Sequence, residues 1–259
     1  MLNECKIKWN KFYILKDCTS YNEYVKFGLS PEDFLKFAKQ DLKNLDNKGL
    51  VEGLSNSKRA IDCQVDWIIS YLGFDYLNFN EQHYPYIKSM INEFEAETYF
   101  DKNLSFKLRF LQAMEITPIF LIAKIRKLRN ELEHEYLMPQ KDEVREAVEI
   151  AELFINATQN ILWHKFISDY FVLNEYNEDY SNIKKPYIDV SINLISEEGV
   201  EINVLYKGED KQEKIKILPE NKEYIMFLKA SISNNFEYLP KIFGCDIDTK
   251  YINYEIKEV

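Results

Sequence analysis

Glycine, proline, cysteine, histidine and arginine are all scarce in this chain. Seven Gly and seven Pro in 259 residues exclude a collagen-like protein or a mainly disordered one. The apolar runs are too short to span a membrane, and residues 1–25 lack the apolar core of a signal peptide. We therefore expect a cytoplasmic protein without a membrane partner.

The four cysteines do not follow a metal-binding or disulfide pattern. None belongs to a C-x-x-C pair, and no cysteine and histidine have the spacing of zinc ligands. Reduced thiols are the expectation, with no metal and no cofactor. The cysteines are Cys5, Cys18, Cys63 and Cys245.

Charge and composition indicate a globular protein rather than one that coats nucleic acid. The hydrophobic content is 46%, and the net charge is −10. Broad binding to nucleic acid requires a basic surface, so an extended RNA-coating role is disfavoured. A small basic pocket remains compatible with this charge. The length allows one or two domains.

Apolar periodicity predicts helices over most of the first two thirds of the chain. Alternation of Cys5, Ile7 and Trp9 with lysines favours a short strand within residues 1–29. A Ser30 cap followed by Pro31 then predicts the first helix. The predicted helices cover residues 31–46, 50–72, 85–99, 106–115, 118–138 and 142–171, with an insertion near residues 74–104.

The periodicity changes from helical to alternating in the last third. Three antiparallel strands are predicted near residues 188–192, 200–204 and 215–217, then a helix from residue 219 and a strand over 251–256. The predicted fold class is therefore α+β. An all-α bundle over residues 30–175 is followed by a small α+β domain with an antiparallel sheet over residues 183–259.

The most informative motif combines Arg129, Asn130 and His134. The chain has only five Arg and three His, so an Arg five positions before a His is expected by chance only about 0.06 times. An imidazole can transfer a proton near neutral pH. A guanidinium can bind a phosphate with two hydrogen bonds. These are the groups that metal-independent RNA cleavage needs.

This motif resembles the R-x4-H motif of the HEPN superfamily of helical ribonucleases and nucleotide-binding domains. With Tyr136 it also matches the R-x4-H-x-Y form of toxins that are paired with a nucleotidyltransferase antitoxin. The segment around Lys58 and Asp62 is similar to the second HEPN helix. The C-terminal domain resembles no family, and the chain is longer than those single-domain toxins.

A helical wheel places the motif away from the apolar stripe of its helix. Asn130 and His134 fall opposite that stripe, and Arg126 aligns with them at four-residue spacing. Arg129 lies on the flank. In HEPN proteins such a face commonly contacts a second copy, so the resemblance implies a homodimer through the Arg129–His134 face.

The resemblance implies an endoribonuclease in which His134 is the base or acid, Arg129 stabilises the phosphate charge and Asn130 orients His134 or the phosphate. Products with a 2′,3′-cyclic phosphate and a 5′-hydroxyl are implied. Arg126, Lys58 and Asp62 are candidate substrate-binding residues, and Tyr136 is a candidate AMPylation site. Such proteins serve toxin–antitoxin, abortive-infection or other antiphage systems in prokaryotes, which implies an antitoxin or another defence protein as partner.

Two less specific interpretations remain open. The bundle is a non-catalytic HEPN module that binds RNA or a nucleotide, as a sensor or adaptor. Alternatively, Arg129 forms an ordinary helical ion pair with Glu133, His134 is a solvated surface residue, and the chain is purely structural. Lys58 and Asp62 are then solvated surface residues, and Tyr136 packs beside the apolar stripe.

Overall fold

The computed structural model describes residues 5–19, 27–44, 46–97, 104–117, 120–177, 183–194 and 201–258. Within these ranges the chain forms eight α-helices and six β-strands. In chain order they are β1 (Phe12–Thr19), α1 (Pro31–Asp41), α2 (Asn47–Tyr71), α3 (Pro85–Glu97), α4 (Phe106–Ala113), α5 (Phe120–His134), α6 (Lys141–Asn160), β2 (Ile167–Leu173), β3 (Tyr187–Asn193), β4 (Glu201–Lys207), β5 (Gln212–Ile217), α7 (Lys222–Ser233), α8 (Leu239–Ile242) and β6 (Tyr254–Glu258). Among the described residues, none of the helices is long and apolar enough to cross a bilayer.

All six strands belong to one sheet in the order β5-β4-β3-β2-β1-β6. Neighbouring strands are antiparallel except β1 and β6, which are parallel. Tyr13 of β1 lies opposite Leu173 of β2 on one side and Glu255 of β6 on the other. The sheet is therefore built from both ends of the sequence.

The predicted fold class, an all-α N-terminal bundle followed by a small α+β domain, is wrong. The protein is mixed α/β, because helices are interleaved with strands along the chain. β1 precedes all the helices and pairs with β2, which follows α6. A sequence pattern reports local periodicity, whereas this pairing joins segments that are far apart in the chain.

The segment from residue 161 to residue 173 explains much of this error. A helix was predicted to continue to residue 171, but α6 ends at Asn160 and a π-helical turn over Ile161–Lys165 leads into β2. Both ends of β2 are buried, so its apolar residues do not alternate strictly and its pattern fits a helix as well. The predicted N-terminal strand was also misplaced, since residues 5–11 form no strand and β1 starts at Phe12.

The chain divides into two compact units, which we call the sheet unit and the helical unit. The sheet unit combines Met1–Glu23 with Ile161–Val259, and the helical unit is Tyr24–Asn160.

In the sheet unit, β3, β4 and β5 confirm the three predicted antiparallel strands. Alternate residues of β3 and β4 are buried on one face, as period-2 patterning requires. α7 contacts β2 and contributes Tyr224 and Phe227 to the core. Trp9 stacks on Phe243 with ring centroids 5.3 Å apart. Residue 200, the first residue of the segment predicted to form β4, lies outside the described residues.

In the helical unit, α2 contacts α1, α4, α5 and α6. The stripe predicted for this helix is buried, namely Leu54, Ile61, Val65, Ile68, Ile69 and Leu72. The Ser30 cap is also confirmed, because the Ser30 hydroxyl accepts from the Asp33 amide and the Asp33 carboxylate accepts from the Ser30 amide.

Gly49 has a different role from the one predicted. Residues 47–49 were expected to break a helix, yet α2 begins at Asn47, with the Asp46 side chain accepting from the Gly49 amide at 2.8 Å. A Cβ atom at Gly49 would lie only 1.7 Å from the Asn44 carbonyl oxygen. Glycine is required here because the backbone passes so close to the preceding turn.

A buried hydrogen bond joins α2 to α6. The Gln64 side-chain amide donates to the Thr158 hydroxyl at 2.9 Å, and this hydroxyl donates to the Phe154 carbonyl oxygen at 2.8 Å. Both Gln64 and Thr158 are fully buried. Removing only the hydroxyl leaves a buried amide without its partner, which is costly in an apolar core.

We predict that Thr158→Val lowers the free energy of unfolding by about 1–3 kcal/mol, since valine keeps the shape but cannot accept from Gln64. Urea unfolding followed by circular dichroism measures this change. The double variant Gln64→Leu/Thr158→Val removes both polar partners and should recover part of the loss. A Thr158→Val protein that is as stable as the wild type would contradict the assigned role of this bond.

Candidate functional site on α5

The Arg129–His134 motif occupies the C-terminal half of α5, as predicted. This helix contacts α2 and α6, and its buried side chains include Ile122 and Ile125. Lys124 forms an ion pair with Glu146 of α6, with nitrogen and oxygen 2.6 Å apart. The predicted start at Thr117 and Pro118 cannot be compared, because residues 118–119 and the Leu121 side chain lie outside the described residues.

Arg129 forms the helical ion pair that the alternative interpretation predicted. Its guanidinium contacts the Glu133 carboxylate one turn further along α5, and both side chains remain partly exposed. Exposed pairs at this spacing contribute about 0.3–0.5 kcal/mol. A phosphate could therefore replace Glu133 at low cost.

Asn130 and His134 are exposed, as the helical wheel predicts, and Arg126 is half-buried. These three residues lie at four-residue spacing and therefore share one side of α5. In the part of the chain that the structure describes, their side chains make no hydrogen bond or ion pair. An amide, an imidazole and a guanidinium are thus available on this face.

The chain turns sharply after the motif, and this turn presents Tyr136 to solvent. Tyr136 has a φ of 57°, a left-handed conformation that is uncommon for a residue other than glycine. The Leu137 amide donates to the Glu131 carbonyl oxygen at 3.2 Å and stabilises the turn. The Tyr136 side chain is 85% exposed, so the prediction that it packs beside the apolar stripe is wrong.

Lys58 and Asp62 form an ion pair with each other on α2. Among the described residues, no hydrogen bond or ion pair joins either side chain to the α5 motif. The contact between α2 and α5 puts the two helices side by side. Their proposed role in substrate binding stays a prediction.

Metal ligands and cysteine thiols are two other kinds of reactive group in the chain. Across the described ranges, no three His, Cys, Asp or Glu side chains are grouped so that they could hold a metal ion. Cys5 and Cys63 are free thiols, and burial raises the pKa of each to about 12. These two thiols are therefore protonated near neutral pH and are poor nucleophiles.

Sequence analysis missed a cluster of lysines in the sheet unit. Lys6, Lys8, Lys184 and Lys185 line one cavity, although they come from two distant segments. The only signals in the sequence are a Lys-x-Lys pair before the first strand and a Lys-Lys-Pro segment before β3. Neither pattern is informative without the strand pairing that joins the segments.

Comparisons with known proteins identify no relative. No protein-family model, no curated protein and no solved structure matches this chain. The resemblance to HEPN proteins therefore depends on the residues of α5 and α2 alone.

We predict that Glu133→Gln changes the free energy of unfolding by less than about 0.5 kcal/mol, because the pair with Arg129 is partly exposed. The matched control is Glu131→Gln, which removes the pair with Lys127 at 3.6 Å on the same helix. Urea unfolding of both variants tests this. If Glu133→Gln costs more than 1 kcal/mol beyond the control, Arg129 is held for stability and is not available to a ligand.

Proposed function

We propose that this protein is a metal-independent endoribonuclease of the HEPN type. The supporting observation is the exposed side of α5, where Asn130, His134 and the half-buried Arg126 have no side-chain partner among the described residues. Arg129 stands one turn before His134 and is engaged only by a partly exposed carboxylate.

In the proposed reaction the substrate supplies its own nucleophile. The 2′-hydroxyl of one nucleotide attacks the adjacent phosphorus while His134 accepts its proton. The bond from phosphorus to the 5′-oxygen breaks, and a second imidazole protonates that oxygen. The products are a 2′,3′-cyclic phosphate and a 5′-hydroxyl. Arg129 leaves Glu133 and stabilises the charge on the phosphate oxygens, and Asn130 orients His134 or the phosphate.

A homodimer supplies the second imidazole. The other histidines, His83 and His164, are exposed and lie outside α5. His83 packs edge-on against Tyr84, with ring centroids 4.6 Å apart. Two copies that meet through the Arg129–His134 face provide one base and one acid in a single cleft.

The biological setting is part of the same proposal. We place the protein in the cytoplasm of a prokaryote, as a toxin or effector of a toxin–antitoxin, abortive-infection or antiphage system. The exposed hydroxyl-bearing ring of Tyr136 supports AMPylation by a nucleotidyltransferase antitoxin, because a modifying enzyme needs an accessible side chain. Adding a nucleotide two residues beyond His134 would block the proposed dimer face.

A second candidate function is a non-catalytic module that binds RNA or a nucleotide as a sensor or adaptor. The exposed Asn130 and His134 side chains support it, because an amide and an imidazole can form hydrogen bonds to a phosphate or a base. In that case His134 contributes binding and no proton transfer.

We predict that the wild-type protein cleaves unstructured RNA in EDTA and leaves cyclic-phosphate ends. Replacing His134 by Ala should lower the rate at least about 100-fold, which is the usual contribution of one positioned acid–base group. His83→Ala is the matched control, since it removes another exposed imidazole of the same unit. Gel analysis of labelled RNA gives the rates and the chemistry of the ends.

The outcomes separate the two functions. Equal cleavage by wild type and His134→Ala would reject the proposed site. RNA binding without cleavage by any variant would favour the binding module. Sedimentation of the wild type and Asn130→Arg tests the dimer, because a bulky charge on both copies of the face should produce monomers.

A further inference from the structure

A cavity of about 390 Å³ opens in the sheet unit at one end of the sheet. This is the end where β1 starts, β2 finishes and β3 starts. Its lining comes from four segments. These are Lys6 and Lys8 before β1, Asn174 and Glu175 after β2, Lys184, Lys185 and Pro186 before β3, and Glu209 between β4 and β5. We call it the lysine pocket.

Asn174 fixes the N-terminal side of the lysine pocket. Its side-chain oxygen accepts from the Lys8 amide at 2.7 Å, and its side-chain nitrogen donates to the Lys6 carbonyl oxygen at 2.9 Å. The phenolic oxygen of Tyr206 accepts from the Lys6 amide at 3.3 Å. The backbone of both lysines is therefore held in place, while their charged groups remain exposed.

The lysine pocket is a local positive site on a negatively charged protein. Lys184 is paired with Glu175 at 3.4 Å, whereas Lys6, Lys8 and Lys185 have no carboxylate partner in the described part of the chain. Four lysines face two carboxylates in the lining, the second being Glu209. At physiological salt, charges more than about 8–10 Å away are largely screened. The net charge of −10 therefore does not cancel this local excess.

Aromatic rings stand beside these lysines in the chain. Tyr176 follows Glu175 directly and packs against Tyr13, with ring centroids 6.0 Å apart. Tyr187 follows the lining residue Pro186, is half-buried on β3, and has the Lys207 ammonium 5.3 Å from its ring centroid. Lysines that contact phosphates and rings that stack on bases are the combination that binds single-stranded nucleic acid.

We propose that the lysine pocket binds the phosphates of single-stranded RNA, and that Tyr176 and Tyr187, which adjoin its lining residues in the chain, contact the bases. The choice of RNA rests on the proposed endoribonuclease function. The sheet unit then contributes to RNA affinity rather than to the chemical step.

The test measures binding in a His134→Ala background, so that the RNA stays intact. Fluorescence anisotropy with a labelled 12-nucleotide unstructured RNA in EDTA gives the dissociation constant at several salt concentrations. The double variant Lys6→Glu/Lys185→Glu should raise the dissociation constant at least tenfold. It should also reduce the salt dependence of binding by about two released counterions. The control Lys222→Glu/Lys241→Glu makes the same charge change at two exposed lysines of the sheet unit, and should raise it less than twofold.

A milder variant, Lys8→Gln/Lys184→Gln, guards against misfolding, and circular dichroism checks all variants. It should raise the dissociation constant at least threefold. The proposal would be overturned if the control pair weakened RNA binding equally, or if the protein with an intact pocket bound no RNA. It would also be overturned if inorganic pyrophosphate bound more tightly than the RNA strand. If the wild type cleaves RNA and the pocket variants bind RNA as tightly as before, the pocket proposal is rejected and the enzyme proposal stands. If the pocket variants weaken RNA binding but the wild type does not cleave RNA, the enzyme proposal is rejected and the pocket proposal stands.

Discussion

The antiparallel pairing of β1 with β2 is the constraint on which the sheet unit depends. It places Tyr13 opposite Leu173, although all six helices of the helical unit lie between them in the sequence. β6 joins the sheet only through β1, so the C-terminal strand also depends on this pairing. Closing a loop of this length costs little more entropy than closing a shorter one, because the cost grows only with the logarithm of loop length. Such nonlocal pairing nevertheless forms slowly compared with helices.

The lysine pocket is a direct consequence of the same pairing. Asn174 lies just beyond β2 and binds the backbone of Lys6 and Lys8, just before β1. β3 pairs with β2 and brings the segment of Lys184 and Lys185 to the same end of the sheet. Basic residues that are unremarkable in the sequence become a cluster only when these strands are in register.

The α5 site depends on much weaker interactions. Burial of Ile122 and Ile125 sets the orientation of the helix, and this leaves Asn130 and His134 exposed. The pair between Arg129 and Glu133 is partly exposed and contributes only about 0.3–0.5 kcal/mol. Both the catalytic and the binding interpretation of this face therefore start from the same geometry. They differ in whether His134 transfers a proton.

Local patterns in the sequence determined those helices and strands in which the buried residues recur at a single spacing. The stripe of α2, the Ser30 cap of α1 and the alternation of β3 and β4 were predictable, because each depends on neighbouring residues. The exposed position of His134 followed from the same reasoning. Even at this level Gly49 was misjudged, because its role comes from the close approach of the Asn44 carbonyl.

Tertiary structure alone decided the fold class, the strand identity of residues 167–173 and the lysine pocket. A segment such as β2, buried at both ends, has apolar residues that satisfy either a helical or a strand period. Only hydrogen bonds to β1 and β3 select the strand. These partners are distant in sequence, so no local window contains the information. The sequence by itself determined which side chains of α5 are exposed, and the long-range pairing decided which of the lysines stand together.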